Sequence, residues 1–162
     1  MTGAKSSAPW ASDGILFSLS EQETFQIGRA LGSRLGGGEL VLLEGQLGIG
    51  KTVFARGIAN GLGIPARDVC SPSYTLVQEY TGGRIDMFHV DLYRIEQPDD
   101  ICTLGLEDLM ASGAVVVVEW GERLPEAYGT DALTVRFQDI GEASRRIELL
   151  APSDGCSPAH DA

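Results

Sequence analysis

Among the charged residue types, lysine is the scarcest in this sequence. It occurs only as Lys5 and Lys51, and Lys and Arg together number 12 against 23 Asp and Glu, so the formal net charge is -11. Proteins hold nucleic-acid backbones mainly with Lys and Arg, and this balance argues against a nucleic-acid-binding surface on the chain itself. We therefore expect any RNA to be held by a partner protein.

Long apolar runs and paired cysteines are also missing. No segment approaches the roughly 18 consecutive apolar residues of a membrane span, and the N-terminal residues contain no continuous apolar stretch typical of a secretory signal. Cys70, Cys102 and Cys156 lack the CxxC spacing of zinc sites, which favours reduced thiols. We expect a cytoplasmic protein that does not contact a membrane.

The length and composition predict one globular domain. The chain has 162 residues, of which 43% are hydrophobic and 22% charged. Residues 1–13 and 151–162 are rich in Ser, Ala, Pro and Gly and show little hydrophobic periodicity. We expect these two segments to be flexible tails around a domain that spans residues 14–150.

Strand and helix signals alternate along this domain. After a predicted strand at 15–19, Ser20-Glu21-Gln22-Glu23 matches a capping box, which predicts a helix beginning near Glu21. Residues 39–44, ELVLLE, read as a strand buried on both faces, as in a parallel sheet covered by helices. Residues 51–60 are predicted to form the next helix.

The second half of the domain supplies one further predicted helix, from Pro98 to Met110. Five apolar segments predict strands, at 76–80, 84–90, 114–119, 133–137 and 146–150. The first two are predicted to form a hairpin around Thr81-Gly82-Gly83, and the last two an antiparallel pair around Gly141. The order of elements predicts an α/β fold with a mixed, mostly parallel central sheet and an antiparallel hairpin at the C-terminal end.

Residues 45–52, GQLGIGKT, complete the phosphate-loop pattern G-x-x-x-x-G-K-[ST] between a predicted strand and a predicted helix. Glycines let the backbone wrap a phosphate so that successive N–H groups point inward at the positive end of the helix. In this pattern Lys51 reaches the β and γ phosphates and the Thr52 hydroxyl binds magnesium. The loop therefore predicts a three-layer P-loop fold that binds ATP and Mg²⁺.

Such a site also needs a carboxylate that holds magnesium and orders the attacking water. Asp91 and Glu119 each end an apolar strand, and the carboxyl ends of parallel strands face the ligand crevice. His89 and Asp91 could form part of a metal site, but no third ligand is evident, so a structural role is predicted for His89. The hydroxyl-rich residues 71–75 are predicted either to sense the γ phosphate or to form an ordinary turn.

Two common classes of P-loop protein fit poorly. A guanine-specific GTPase usually carries Asn-Lys-x-Asp, whereas Asn60 is the only asparagine here. A small-molecule kinase usually carries a lid with several arginines, and Arg123 is the only arginine between Glu119 and the terminal strands. The kinase class stays open as an alternative.

The motifs, taken in order, resemble one family: the bacterial TsaE (YjeE) family, the ATPase component of tRNA threonylcarbamoyladenosine synthesis. The resemblance runs from about residue 19 to residue 126. It rests on SEQET, the loop LEGQLGIGKT, SPSYTLVQEY, HVDLYR, the PDD…LGLEDL segment and VVVEW.

Membership of this family implies a P-loop fold, magnesium-dependent ATP hydrolysis, and action with the TsaB and TsaD proteins, which handle the tRNA. It implies a magnesium site at Thr52 and Glu119, a role for Asp91 in positioning or activating water, and Lys51 as the catalytic lysine. The implied nucleotide-binding residues are Glu21, Gly45, Gly48, Ile49, Gly50, Lys51, Thr52 and Val53.

The sequence departs from the family pattern at three positions. Gln46 stands where the family usually has Asp, Val53 where a second Thr is common, and Ser73 where Thr is usual. The backbone cradle, Lys51 and Thr52 are unaffected, but the missing acid at position 46 is expected to weaken either hydrolysis or a partner contact. An alternative therefore remains, in which ATP holds a partner-competent shape without being hydrolysed.

Overall fold

The computed structural model describes residues 14–72 and 76–152. The predicted tail 1–13, most of the predicted tail 151–162, and Cys156 lie outside the described residues. The strands are β1 Gly14–Ser18, β2 Leu40–Glu44, β3 Val77–Tyr80, β4 Met87–Asp91, β5 Val115–Glu119, β6 Leu133–Gly141 and β7 Ser144–Leu150. The α-helices are α1 Glu21–Gly32, α2 Lys51–Gly61, α3 Pro98–Cys102, α4 Leu106–Ala111 and α5 Glu126–Gly129, with 3-10 turns at Ala66–Asp68 and Gly121–Arg123.

All seven strands form one sheet in the order β1-β7-β6-β2-β5-β4-β3. The four central strands, β6, β2, β5 and β4, are parallel to one another. The outer pairs β1–β7, β6–β7 and β3–β4 are antiparallel. The predicted α/β fold with a mixed sheet and a closing C-terminal hairpin is confirmed.

Apolar side chains cover both faces of the sheet and form a three-layer structure. Along β5, Val115 and Val117 contact the core beneath α1 and α2, whereas Val116 and Val118 contact the core on the opposite face. This alternation explains why the strand is apolar at every position, as expected of a central strand. No helix in the described part of the chain is long and apolar enough to cross a membrane.

The N-terminus of α1 confirms the predicted capping box with one change of partner. The Ser20 hydroxyl accepts from the Glu23 backbone N–H at 3.1 Å. The Glu23 carboxylate accepts instead from the backbone N–H of Leu19, at 2.6 Å. Two N-terminal donors are thus satisfied, so the helix begins at Glu21 as predicted.

The prediction of one helix from Pro98 to Met110 is wrong. The segment forms two short helices, α3 and α4, because Gly105 between them has a left-handed φ of +66°.

The predicted strand at 84–90 begins only at Met87. Arg84 is held by helices rather than by the sheet: its guanidinium donates to the carbonyl oxygens of Leu35 and Gly32 at 2.7 and 2.8 Å.

Helices α1 and α2 pack backbone to backbone through two glycine pairs spaced four residues apart: Gly28 and Gly32 on α1, Gly57 and Gly61 on α2. A Cβ added to Gly57 would lie 2.3 Å from the carbonyl oxygen of Phe25, and Cβ atoms on the other three would lie 2.2–2.4 Å from carbonyl oxygens of the opposite helix. No other residue fits at these four positions without displacing a helix.

The same contacts set the relative direction of the two helices. A Cβ on Gly57 would be 3.0 Å from Gly28 Cα, and one on Gly61 would be 2.8 Å from the carbonyl carbon of Gly32. Residue numbers therefore increase together along both helices, which run in the same direction. Their N-termini, at Glu21 and Lys51, lie at the same end of the molecule.

We expect Gly57→Ala to destabilise the protein. The higher helix propensity of alanine would stabilise the helix by roughly 0.5–1 kcal/mol relative to glycine. Overpacking against the Phe25 carbonyl costs about 1–3 kcal/mol or more, so the net effect should be a loss of stability. Urea denaturation measures the difference in the free energy of unfolding. Gly36→Ala is the matched control, because Gly36 is exposed and a Cβ there meets no atom within 4 Å. Equal midpoints for the two variants would contradict the close packing.

Candidate nucleotide-binding site

The candidate site lies where three parallel strands end. Asp91 and Glu119, the last residues of β4 and β5, are register partners in the sheet. On its other side Glu119 pairs with Leu43 of β2, one residue before the end of that strand. Because the strands are parallel and in register, both predicted acids reach the same edge, beside the loop that leaves β2.

Residues 45–50 connect β2 to α2 in a conformation that depends on glycine. Gly45, Gly48 and Gly50 have φ angles of +153°, +78° and +117°. A Cβ on Gly45 would also lie 3.0 Å from the side chain of Ile49 and 3.1 Å from Phe137. A loop of this kind, followed directly by a helix N-terminus, can present backbone N–H groups to a phosphate.

Lys51 opens α2 and its side chain turns back over the loop. Its ammonium donates to the carbonyl oxygens of Gly45 and of Gln46, the latter at 2.9 Å, and lies 3.8 Å from the centre of the Trp120 ring. The residue is only 5% exposed. Burial lowers the pKa of the ammonium, and the negative charges of Glu122, Glu119 and Asp91 oppose that shift.

Glu119 binds one side chain with each carboxylate oxygen. Oε1 accepts from the Thr52 hydroxyl at 2.7 Å, and Oε2 lies 2.8 Å from Nε2 of His89. An ionised carboxylate only accepts, so Nε2 carries the proton in this pair. Nδ1 of His89 is buried and has no hydrogen-bond partner within the described ranges. His89 therefore fixes the orientation of Glu119 from below the site.

Asp91 is held in a similar way by two neighbours. Its Oδ2 accepts from the Ser71 hydroxyl at 3.0 Å and its Oδ1 from the backbone N–H of Tyr93 at 2.9 Å. The first residue of the predicted hydroxyl-rich loop thus contacts the predicted acid. Residues 73–75 of that loop, which include the departure at Ser73, lie outside the described residues.

These groups surround a cavity of about 350 Å³. Of the predicted site residues, the following line it: Glu21, Gly48, Gly50, Lys51, Thr52, Val53, Asp91 and Glu119. Glu21 reaches the cavity because α1 and α2 begin at the same end of the molecule. Gly45 and Ile49 do not line it; the Ile49 side chain packs in the core beneath α1 and α2.

Tyr93, Arg94 and Trp120 also line the cavity, and Arg123 lies behind the two aromatic rings without lining it. Trp120 has a left-handed φ of +61°, and its ring centre lies 5.2 Å from that of Tyr93. The Arg123 guanidinium lies 5.4 Å from the Trp120 ring centre and donates to the backbone carbonyls of Leu92, Tyr93 and Ile95. Tyr93 and Arg94 belong to the HVDLYR segment and follow Asp91, the acid that ends β4. This position was the sequence signal that could have predicted them as site residues.

The donor set suits a magnesium ion bound together with phosphates. Mg²⁺ prefers hard oxygen ligands and usually takes one or two carboxylates, with phosphate oxygens and water for the rest. The Thr52 hydroxyl and the Glu119 carboxylate supply such oxygens beside the loop. No group of three or more His, Cys, Asp or Glu side chains in the described residues forms a complete metal cage, so an ion here would need ligands from the phosphates and water.

Comparison with known proteins identifies the family. The family model of the threonylcarbamoyl adenosine biosynthesis protein TsaE matches residues 18–147. The chain belongs to the TsaE family. Its relatives include the tRNA threonylcarbamoyladenosine biosynthesis protein TsaE of Nostoc sp., 38% identical over 83% of this chain and 83% of the relative. The TsaE of Bacillus subtilis is 35% identical over 82% of each chain.

A solved structure agrees with the sequence relatives. The crystal structure of Bacillus subtilis YdiB superimposes with a TM-score of 0.69 at 28% identity, over 87% of this chain and 86% of that one. The resemblance to the TsaE family stated from the motifs is therefore confirmed, as is the P-loop fold that it implied.

Two of the residues at which this sequence departs from the usual TsaE-family pattern lie near the site. Gln46 turns outward from the cavity, and its side-chain amide lies 3.5 Å from the carboxylate of Asp139 on β6. Val53 lines the cavity one residue after Thr52. The acid usual at position 46 would lie beside Asp139 and be repelled by it, whereas Gln46 donates a hydrogen bond.

We expect His89→Leu to destabilise this TsaE-family chain more than His89→Gln. Leucine leaves one buried oxygen of Glu119 without its donor, which costs about 1–3 kcal/mol, whereas the glutamine amide can still donate. Urea denaturation at neutral pH compares the free energies of unfolding. Equal losses for the two variants would show that His89 stabilises the core by packing alone.

Proposed function

We propose that this chain is the magnesium-dependent ATP-binding and ATP-hydrolysing subunit for threonylcarbamoyladenosine modification of tRNA next to the anticodon. It acts in the cytoplasm with the TsaB and TsaD proteins. The observation that carries the proposal is the 2.7 Å hydrogen bond between Thr52 and Glu119, which joins the hydroxyl and the carboxylate that would share a magnesium ion. This pair lies directly beside a glycine-dependent phosphate loop.

The roles of the side chains follow from their positions. The loop N–H groups and the Lys51 ammonium neutralise the β and γ phosphates, and the ammonium exchanges its loop carbonyls for phosphate oxygens. Thr52 and Glu119 would hold a magnesium ion, which would supply positive charge to stabilise the phosphate oxygens during hydrolysis. Asp91, held by Ser71 and the Tyr93 N–H, keeps its orientation and orders the attacking water.

The charge of the chain supports a division of labour with its partners. With a formal net charge of -11, the chain offers little attraction for a tRNA backbone. In the proposed assembly TsaB and TsaD hold the tRNA and carry the transfer, and this chain contacts tRNA only indirectly. The names of the relatives from Nostoc sp. and Bacillus subtilis assign those two relatives to tRNA threonylcarbamoyladenosine biosynthesis, which supports the proposed modification but does not name the partners.

ATP turnover tests the site directly. We expect Lys51→Ala to lower kcat by about 10²-fold or more, because an electrostatic contact made in the transition state is lost. Glu119→Gln and Asp91→Asn should also abolish most turnover. Phosphate release is measured with and without the TsaB–TsaD pair, and Glu126→Gln, an exposed acid on α5, should behave as the unmodified protein.

Retention of partner-stimulated turnover by Lys51→Ala or Glu119→Gln would overturn this assignment. The same assay with ATP labelled on the γ phosphate separates hydrolysis from the kinase alternative. Label recovered on an acceptor other than water would indicate a kinase.

A second function is favoured by the way both acids are held. Each oxygen of Glu119 and of Asp91 already accepts a hydrogen bond from a protein group. Such acids are suited to sensing a bound nucleotide by exchanging one partner, as in nucleotide switches. In this alternative ATP holds a shape that binds the partners, and hydrolysis is not required.

Repeated tRNA modification in a reconstituted system separates the two functions. Glu119→Gln is first shown to bind ATP and not to hydrolyse it. If hydrolysis resets the complex, we expect no more than about one modified tRNA per complex with this variant, because the ATP-bound form accumulates. Many rounds per complex would support the assembly function and contradict the hydrolytic one.

A further inference from the structure

Arg145, on β7, lies behind the phosphate loop on the side away from the cavity residues. The side chain is buried, with 9% exposure. Its Nη1 donates to the backbone carbonyl of Ile49 at 3.0 Å, and its Nη2 donates to the carbonyl of Ala143 at 3.0 Å. The loop carbonyl that Arg145 binds belongs to the residue directly before Gly50.

The guanidinium carries a buried charge that forms no ion pair with a carboxylate among the described residues. None of the ion pairs formed within residues 14–72 and 76–152 includes Arg145. Its register partner on β6, Asp139, directs its carboxylate to the Gly141 N–H at 2.8 Å and to Gln46. A buried charge with only neutral partners is costly, and a nearby anion reduces that cost.

The geometry of the peptide bond links this contact to the cradle. In a trans peptide the carbonyl of one residue and the N–H of the next point in opposite directions. Arg145 holds the Ile49 carbonyl on the outer side of the loop, so the Gly50 N–H is directed to the inner side. Gly50 itself lines the cavity.

The backbone conformation explains why position 50 is glycine, because a φ of +117° strains any other residue. The guanidinium lies close to this glycine: a Cβ there would lie 2.7 Å from Nη1 of Arg145, so a larger residue would also shift the end of the arginine side chain.

We propose that Arg145 is a positioning residue for phosphate binding. It fixes the Ile49–Gly50 peptide so that the Gly50 N–H faces the bound phosphate, and it places a second positive charge behind the loop, opposite to Lys51. The ligand chemistry is the β phosphate of a nucleoside diphosphate or triphosphate. This inference rests on the proposed nucleotide binding, but it assigns a role in phosphate binding to a residue outside the phosphate-loop pattern.

Calorimetric titration with ADP and with AMP, both with Mg²⁺, tests the proposal on the full chain. We expect Arg145→Gln to weaken ADP binding by about tenfold or more and to change AMP binding little, because AMP lacks the phosphate that the cradle holds. The ratio of the two Kd values separates a contact with phosphate from a general loss of structure. Arg146→Gln is the matched control, since Arg146 contacts Glu148 instead of the loop; it should keep both Kd values within about twofold.

Thermal unfolding without nucleotide shows whether Arg145→Gln folds. If it does not, Arg145→Lys replaces it: an ammonium cannot bridge the two carbonyls as a planar guanidinium does, so the preference for ADP over AMP should fall about threefold or more. A folded Arg145→Gln or Arg145→Lys variant with the wild-type preference for ADP would overturn the inference. Failure of the wild-type protein to bind either ADP or ATP would instead overturn the proposed function.

Discussion

The close packing of α1 against α2 brings the beginnings of both helices to the phosphate loop, at the edge of the sheet where Asp91 and Glu119 lie. Four glycines allow the two helix backbones to touch, and the helices run in the same direction. Both positive helix ends, at Glu21 and Lys51, therefore meet beside the phosphate loop. A wider separation would move Glu21 out of the cavity and would leave the loop supported only from the strand side.

The loop is held from opposite sides by two cations with different tasks. Lys51 contacts loop carbonyls on the cavity side and can exchange them for phosphate oxygens. Arg145 contacts the carbonyl of Ile49 and is not among the described residues that line the cavity. In the proposed function Lys51 can therefore change partners when the ligand binds, while Arg145 keeps the loop backbone in place. Such a contact can preorganise a flexible, glycine-rich segment for an anion.

The features that could be predicted from sequence were those specified locally. The loop pattern, the capping box at Ser20 and the acids that end apolar strands each depend on a few consecutive residues. The prediction of one helix from Pro98 to Met110 failed because the helix propensity of glycine does not specify the left-handed φ that Gly105 adopts. The roles of His89 and Arg145 depend on strand register across the sheet, β4 against β5 and β7 against β6, which a single sequence does not specify.

The arrangement of charge supports the proposal that so acidic a chain holds an anionic nucleotide. Lys51 and Arg145, which contact the loop, are buried, and at buried positions the effective dielectric constant is low and each charge contributes more than at the surface. The acids of the site, Asp91 and Glu119, lie at the strand ends and are compensated by donors from Ser71, Thr52 and His89. With a magnesium ion bound, the Glu119 carboxylate would act as a ligand of the ion, and its repulsion of the phosphates would be offset. In the proposed function, attraction for a nucleotide would depend on local geometry and the metal, independently of the net charge, and the tRNA would be held by the partner proteins.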